Sequence, residues 1–178
     1  MYIWTACDVS KALDSFREAC IQINRDFNLD EVAFSLPQHI SLKISFEVDD
    51  NIAYDVIECI SEYLSEQGSF CINGPKIEIF GSILWLAFDE ESNLSRIHSE
   101  LDALLSERYG IPQHEFDRSF KFHSTLFIDE PEGLARIQER ISRLSLPDKV
   151  SINSFLIGTS SSGKAGEYSV IKKISCQK

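Results

Sequence analysis

The spacing of apolar and polar residues changes period several times along this chain, and each change indicates a new element. The cleanest alternation runs through residues 39–46, where four polar positions alternate with four apolar ones. A second alternating run covers residues 120–128. Because residues i and i+2 of a strand point to the same face, both runs predict strands with one buried and one polar face.

Four other stretches carry apolar residues at helical spacing, which predicts helices over about 13–23, 52–64, 94–105 and 132–144. Asp8 or Ser10 is expected to cap the first of them. Strands are predicted over residues 2–8, 32–48, 70–80, 85–89, 149–158 and 167–174, with Pro37 interrupting the second. The last two are expected to form a hairpin around a polar loop at 159–166.

The pattern also repeats. Residues 85–89 mirror residues 4–8, and the two clearest alternating runs follow at similar offsets, 81 residues from Trp4 to Trp85 and 84 from His39 to His123. We therefore predict an α+β fold of a single domain, 1–178. It would consist of two pseudo-symmetric lobes, about 1–81 and 82–178, with two antiparallel-rich sheets, helices packed outside and a central cleft.

The net charge of the chain bears on which nucleic-acid ligands are expected. The 178-residue chain has 28 acidic against 17 basic residues, a net charge of −11. Such a field repels a long polyanion, so long structured RNA is not expected as a partner. A small nucleotide or an RNA end held in a locally basic cleft remains compatible with this charge.

The remaining composition predicts a cytoplasmic monomer. No apolar run approaches the roughly 20 residues of a membrane span, so no membrane partner is expected. The first ten residues lack the features of a signal peptide. The five cysteines are odd in number and form no CxxC pair, so neither a zinc framework nor a disulfide scaffold is expected.

The candidate chemistry lies in two tetrads, His39-Ile40-Ser41-Leu42 and His123-Ser124-Thr125-Leu126. Alternation places each imidazole on the same strand face as a hydroxyl, Ser41 or Thr125. Two facing imidazoles with pKa values near 6.5 suit a reaction in which one proton is taken and another given. Hydrolysis of a phosphodiester has this requirement, and no metal or other cofactor is needed.

Further substrate contacts follow from the same alternation. Lys43 and Lys121 are expected on the faces of the histidines, either as phosphate partners or as solvated charges. Tyr168 is a candidate for stacking a base. Trp4 and Trp85 are interpreted as core residues of the repeated scaffold.

At the two tetrads the chain resembles the two-histidine (2H) phosphoesterase superfamily, which includes RNA 2′,5′-ligase-like proteins and 2′,3′-cyclic phosphodiesterases. Its signature is a repeated His-x-Ser/Thr followed by a hydrophobic residue. The resemblance implies metal-independent cleavage of a 2′,3′-cyclic phosphate or a 2′,5′-linked nucleotide. It also implies that His39 and His123 are the acid–base pair and that Ser41 and Thr125 bind phosphate.

Two other hypotheses remain open. The same cleft can hold a nucleotide or RNA end without cleaving it. A zinc site formed by His39, His123 and a cysteine is a third possibility, against which the sequence offers no local chelating pair. His98, within a leucine-rich helix, and His114, in a loop, are interpreted as structural. The sequence does not decide which of His39 and His123 is the base, or which nucleotide is cleaved.

Overall fold

The alternating and helical segments form the expected elements in a computed structural model, which describes residues 1–29, 32–90 and 92–177. Its strands are β1 (Tyr2–Asp8), β2 (His39–Glu47), β3 (Phe70–Asn73), β4 (Lys76–Phe80), β5 (Ile83–Ala87), β6 (His123–Ile128), β7 (Lys149–Ile152), β8 (Ser154–Ser160) and β9 (Ser169–Ser175). Its α-helices are α1 (Asp14–Phe27), α2 (Asp50–Ser65), α3 (Ser92–Tyr109) and α4 (Pro131–Ser142).

The strands pair antiparallel in three sheets with the orders β2-β1-β8-β9, β4-β5-β6 and β3-β7. The predicted α+β class is confirmed. The predicted hairpin at the end of the chain is formed by β8 and β9, whereas β7 pairs with β3. In the residues that the structure describes, no helix is long and apolar enough to span a bilayer.

Each large sheet takes strands from both halves of the sequence. β8 completes the second edge of β1, and β4 completes the second edge of β5. This exchange gives the backbone groups of both central strands partners on both sides. The division of the strands between the two large sheets therefore does not follow the expected division of the sequence near residue 81.

The helices bury one apolar face each against a continuous hydrophobic core. In α3 the buried apolar face consists of Leu94, Ile97, Leu101 and Leu105, at the spacing that the sequence predicts. α1 contacts α4, and α2 contacts α3. The core thereby supports β2 and β6 from one side and leaves their polar face for the candidate site.

Several local predictions are wrong. Neither Asp8 nor Ser10 caps α1: the Asp8 carboxylate accepts from the Ser10 amide, and the Ser10 hydroxyl donates to the Gln38 carbonyl. The N-cap residue is Leu13, which makes no side-chain bond. The segment Val32–Phe34 is a 3₁₀ turn rather than strand, so β2 begins only after Pro37. β6 likewise begins at His123 rather than at residue 120. In each case a turn precedes the histidine, which becomes the first residue of its strand.

Candidate functional site

The two histidines begin the edge strands of different sheets, and a buried glutamine links those strands. The side-chain amide of Gln38 donates to the Ser124 hydroxyl at 2.6 Å and to the Thr125 carbonyl at 3.0 Å. Gln38 is only 4% exposed. Because Gln38 directly precedes His39, these bonds hold the start of β2 against β6 and bring the two motifs to one place.

The two imidazoles have the same backbone partner. Nδ1 of His39 lies 2.7 Å from the carbonyl oxygen of Pro37, and Nδ1 of His123 lies 2.7 Å from that of Lys121. A carbonyl oxygen can only accept, so Nδ1 carries the proton in both rings. In each neutral ring Nε2 therefore holds the lone pair, and it is the nitrogen able to take a proton.

An indole ring supports each imidazole from behind. Trp4 meets His39 edge-on with ring centroids 4.5 Å apart, and Trp85 meets His123 at 4.2 Å in a tilted arrangement. Both tryptophans are 6% exposed, consistent with their interpretation as scaffold. Such contacts restrict ring rotation and so help to fix where Nε2 points.

Burial lowers the pKa of both histidines because it disfavours the charged ring. The pKa of His39 falls to about 4: desolvation is the main cause, and the charge of His123 contributes while the Pro37 carbonyl and Asp8 oppose it. Burial lowers the pKa of His123 as well, against the bond to Lys121. The charge of His123 is close enough to His39 to contribute to the lower pKa of the His39 ring.

The motif hydroxyls lie beside these rings, both half-buried. Ser41 pairs with Ala6 on β1, and its Oγ accepts from the Trp4 indole at 3.2 Å. Thr125 pairs with Trp85 on β5. The hydroxyl hydrogen of Ser41 thus remains available to donate to an anion.

Lys43 does not share the face of His39, so that expectation is wrong. Its register with β1 slips between Ser41 and Lys43, a β-bulge that reverses the alternation. The Lys43 ammonium instead forms buried ion pairs with Asp102 and, at 3.0 Å, with Asp117. Its charge is neutralised inside the protein and is not available to a substrate.

The two other candidate contacts have different positions. Lys121 is exposed, lines the same cavities as His123 and places its ammonium 5.5 Å from the centre of the Phe80 ring. The Tyr168 hydroxyl bonds to that of Ser45, and its ring packs partly buried against the cluster of Trp4, Ala6 and Leu156. Tyr168 therefore lies near the Ser41 side of the site with its hydroxyl already engaged.

Comparison with solved structures finds the same architecture. Over 99% of this chain, the structure of Escherichia coli LigT complexed with 3′-AMP matches with a TM-score of 0.64 at 16% identity, covering 98% of that chain. A structure described as a phosphoesterase matches with a TM-score of 0.63 at 16% identity over 99% of this chain and 98% of its own. TT0787 of Thermus thermophilus matches with a TM-score of 0.62 at 17% identity over 98% of this chain and 97% of its own.

The chain has the same fold as LigT. No protein-family model matches the sequence, and no curated protein matches it significantly. At this level of identity the likeness concerns the fold, so the function must be argued from the site itself.

The fold also places near the site two lysines that sequence reasoning missed. Lys173 on β9 pairs with Asp8 at 2.6 Å, and Asp8 is the register partner of His39. Lys76 on β4 pairs with Asp89 at 3.0 Å and lines a cavity with His123. Their strands join the central strands from outside the motif runs, so the only signal was the charge pattern of β4 and β9 themselves.

One cluster has the composition of a metal site, the buried His98, Asp102 and Asp117. Both carboxylates bind the Lys43 ammonium, which supplies the positive charge there. Both His98 nitrogens lie near carbonyl oxygens, Nδ1 at 2.7 Å from that of Leu42 and Nε2 at 3.1 Å from that of Asp117. The cluster therefore has the bonding of a structural network, in agreement with the interpretation of His98 as structural.

Proposed function

We propose that this chain is a metal-independent phosphodiesterase that cleaves a 2′,3′-cyclic phosphate or a 2′,5′-linked nucleotide. His39 and His123 would act as the general acid–base pair. The observation that carries the proposal is the matched state of the two rings: each Nδ1 donates to a main-chain carbonyl, which leaves each Nε2 for chemistry. Solved structures of LigT with 3′-AMP and with phosphate support a phosphate-bearing ligand for this fold.

The neutral state of both rings in the free protein fits such a reaction. A bound phosphodiester is an anion, and an anion beside an imidazole favours its charged form. Substrate binding would therefore raise the pKa of a neighbouring histidine and supply the acid only when it is needed. Ser41 and Thr125 would stabilise the phosphoryl oxygens through their hydroxyl groups, as donors aimed at developing charge.

Lys121, Lys76 and Lys173 would counter the repulsion that the net charge of −11 exerts on an anionic substrate. Each lies near one of the motif histidines, and Lys76 and Lys173 retain partly exposed ammonium groups beside their aspartate partners. This arrangement favours a small anion over a long nucleic acid.

The direct test is to incubate the protein with 2′,3′-cyclic mononucleotides and with 2′,5′-oligoadenylate in the presence of EDTA. The wild type is expected to release phosphomonoester products, and His39→Ala and His123→Ala to lose about 100-fold or more of kcat/KM each, the size of a general acid–base contribution. Thermal unfolding of both variants checks that they remain folded. Tight nucleotide binding without turnover would instead identify a binding module, and loss of activity with EDTA would exclude the metal-free mechanism.

A further inference from the structure

An apolar cavity of about 430 Å³ opens beside His123. It lies between the β4-β5-β6 sheet and the 3₁₀ segment Glu115–Ser119. Its wall includes the rings of Phe80, Phe116, Phe120 and Trp85, together with Ile83. We call this cavity the aromatic groove.

Two of these rings face solvent to an unusual degree. Phe80 is 60% and Phe116 is 61% exposed. Exposed apolar surface that gathers in one place, rather than scattered singly, is typical of a binding site. Phe80 is also held in a fixed plane, because it stacks parallel to Trp85 with centroids 5.2 Å apart and an interplanar angle of 6°. The groove thus presents an ordered aromatic face.

Charge at the rim suggests what the groove accepts. The Lys121 ammonium lies 5.5 Å from the centre of the Phe80 ring, and Lys121 and His123 both line the groove. An occupant therefore needs a flat apolar part for the aromatic face and an anionic part next to the lysine and the histidine. A nucleobase joined through ribose to a phosphate has this form, and bases of any identity stack on aromatic side chains.

We propose that the aromatic groove binds the nucleobase of the substrate and thereby orients the phosphate, so that His123 protonates the departing ribose oxygen and His39 activates water. This inference rests on the proposed function. Water attacks phosphorus and gives one proton to Nε2 of His39 as the new P–O bond forms. The bond from phosphorus to the ribose oxygen breaks, and that oxygen takes a proton from Nε2 of the His123 imidazolium.

The surroundings of His39 also favour its assignment as the base and that of His123 as the acid. Tyr168, the partly buried aromatic residue on that side, has its hydroxyl bonded to Ser45 and its ring packed on the Trp4 cluster. Tyr168 therefore does not present an open ring face comparable with that of the aromatic groove. His39 also has its pKa lowered to about 4 by burial, which keeps it neutral and able to accept a proton at neutral pH.

The groove is tested by Phe116→Ala and Phe80→Ala with two substrates, a nucleoside 2′,3′-cyclic phosphate and methyl ribofuranoside 2,3-cyclic phosphate, which has no base. Each variant is expected to raise KM for the nucleoside substrate roughly five- to 100-fold, the range for loss of one stacking ring. KM for the base-free substrate should stay within about twofold of wild type. Tyr54→Ala is the matched control, because Tyr54 is 72% exposed on α2 and does not line the groove.

The direction of proton transfer is tested with methyl p-nitrophenyl phosphate, whose nitrophenolate leaves without protonation. The flat nitrophenyl ring is expected in the aromatic groove, so His123→Ala should lose far less activity with this ester than with the cyclic nucleotide. His39→Ala should lose activity with both substrates. The opposite pattern would overturn the assignment of the two histidines.

The remaining outcomes separate this inference from the proposed function. If the wild type cleaves both cyclic phosphates but Phe116→Ala and Phe80→Ala change KM for both equally, or for neither, the groove does not bind the base. If the wild type cleaves none of the three esters and also leaves 2′,5′-oligoadenylate intact, the proposed function fails and the groove assignment fails with it.

Discussion

Replacing Lys43 by methionine is expected to destabilise the protein by about 3–5 kcal/mol, because the change leaves two buried carboxylates without their cation. The side chains of Lys43, Asp102 and Asp117 are 2%, 8% and 0% exposed, so solvent cannot replace the lost ammonium. The carboxylates would keep neutral donors such as the Gln113 amide at 2.9 Å and the His114 backbone amide at 2.8 Å.

Urea unfolding followed by circular dichroism measures this change as a lower midpoint at an unchanged slope. For a chain of this size the same loss corresponds to a fall in Tm of about 6–20 °C. The control is Lys172→Met, which breaks a partly exposed pair with Glu58 (N···O 2.8 Å, side chains 38% and 40% exposed). Such a pair contributes about 0–1 kcal/mol.

The double variant Lys43→Met/Asp102→Asn sharpens the test, since it removes one of the two uncompensated charges. We expect it to be more stable than Lys43→Met alone. Equal losses in Lys43→Met and Lys172→Met, or a double variant less stable than Lys43→Met, would refute the reasoning from buried charge.

Three further predictions concern the site. Trp4→Phe and Trp85→Phe both remove buried ring volume, but only Trp4→Phe also removes a hydrogen-bonded donor, since the buried Trp85 indole N–H has no partner among the described residues. Trp4→Phe should therefore cost about 0.5–1.5 kcal/mol more than Trp85→Phe in urea unfolding, and equal losses would contradict this difference. Gln38→Ala should lower the free energy of unfolding by about 1–3 kcal/mol, because it leaves the buried Ser124 hydroxyl without its donor. The variant should also have a lower kcat/KM. An unchanged midpoint of urea unfolding would contradict the bridging role of Gln38. The pH profile of kcat/KM should be bell-shaped with its maximum below pH 6.5. His39 must be deprotonated, which its pKa of about 4 allows above that pH, and His123, whose pKa is also lowered, must still carry a proton. A maximum above pH 7 would contradict these shifts.

The sequence was sufficient to predict what depends on local period. The strands that carry the motifs, the four helices and the α+β class all follow from spacing, because a buried face imposes its period on the residues that form it. The pairing of each histidine with a hydroxyl two residues later follows from the same rule. These features needed no knowledge of distant neighbours.

Features set by distant partners could not be predicted in this way. The bulge that turns Lys43 inward arises from its register with β1, and the aspartates that receive Lys43 lie on α3 and in a 3₁₀ segment. The pairing of β8 with β1 and of β4 with β5 also joins strands from different halves of the sequence, and local spacing does not specify such partners. Phe80 and Phe116 are 36 residues apart in sequence, and only the folded chain brings their exposed rings to one groove.

The two histidine motifs are alike, yet the proposed mechanism gives their imidazoles different roles, and the difference must come from the surroundings of the motifs. The two tetrads supply two similar imidazoles, each with Nδ1 bonded to a carbonyl at 2.7 Å and an indole behind it. The proposed acid–base catalysis needs two groups in opposite protonation states, so it requires that the two rings differ. Here the difference lies outside the motifs: burial lowers the pKa of His39 to about 4, while an open aromatic groove adjoins His123. A chain that kept both tetrads but lost this asymmetry would bind an anion in either direction and would have no fixed base.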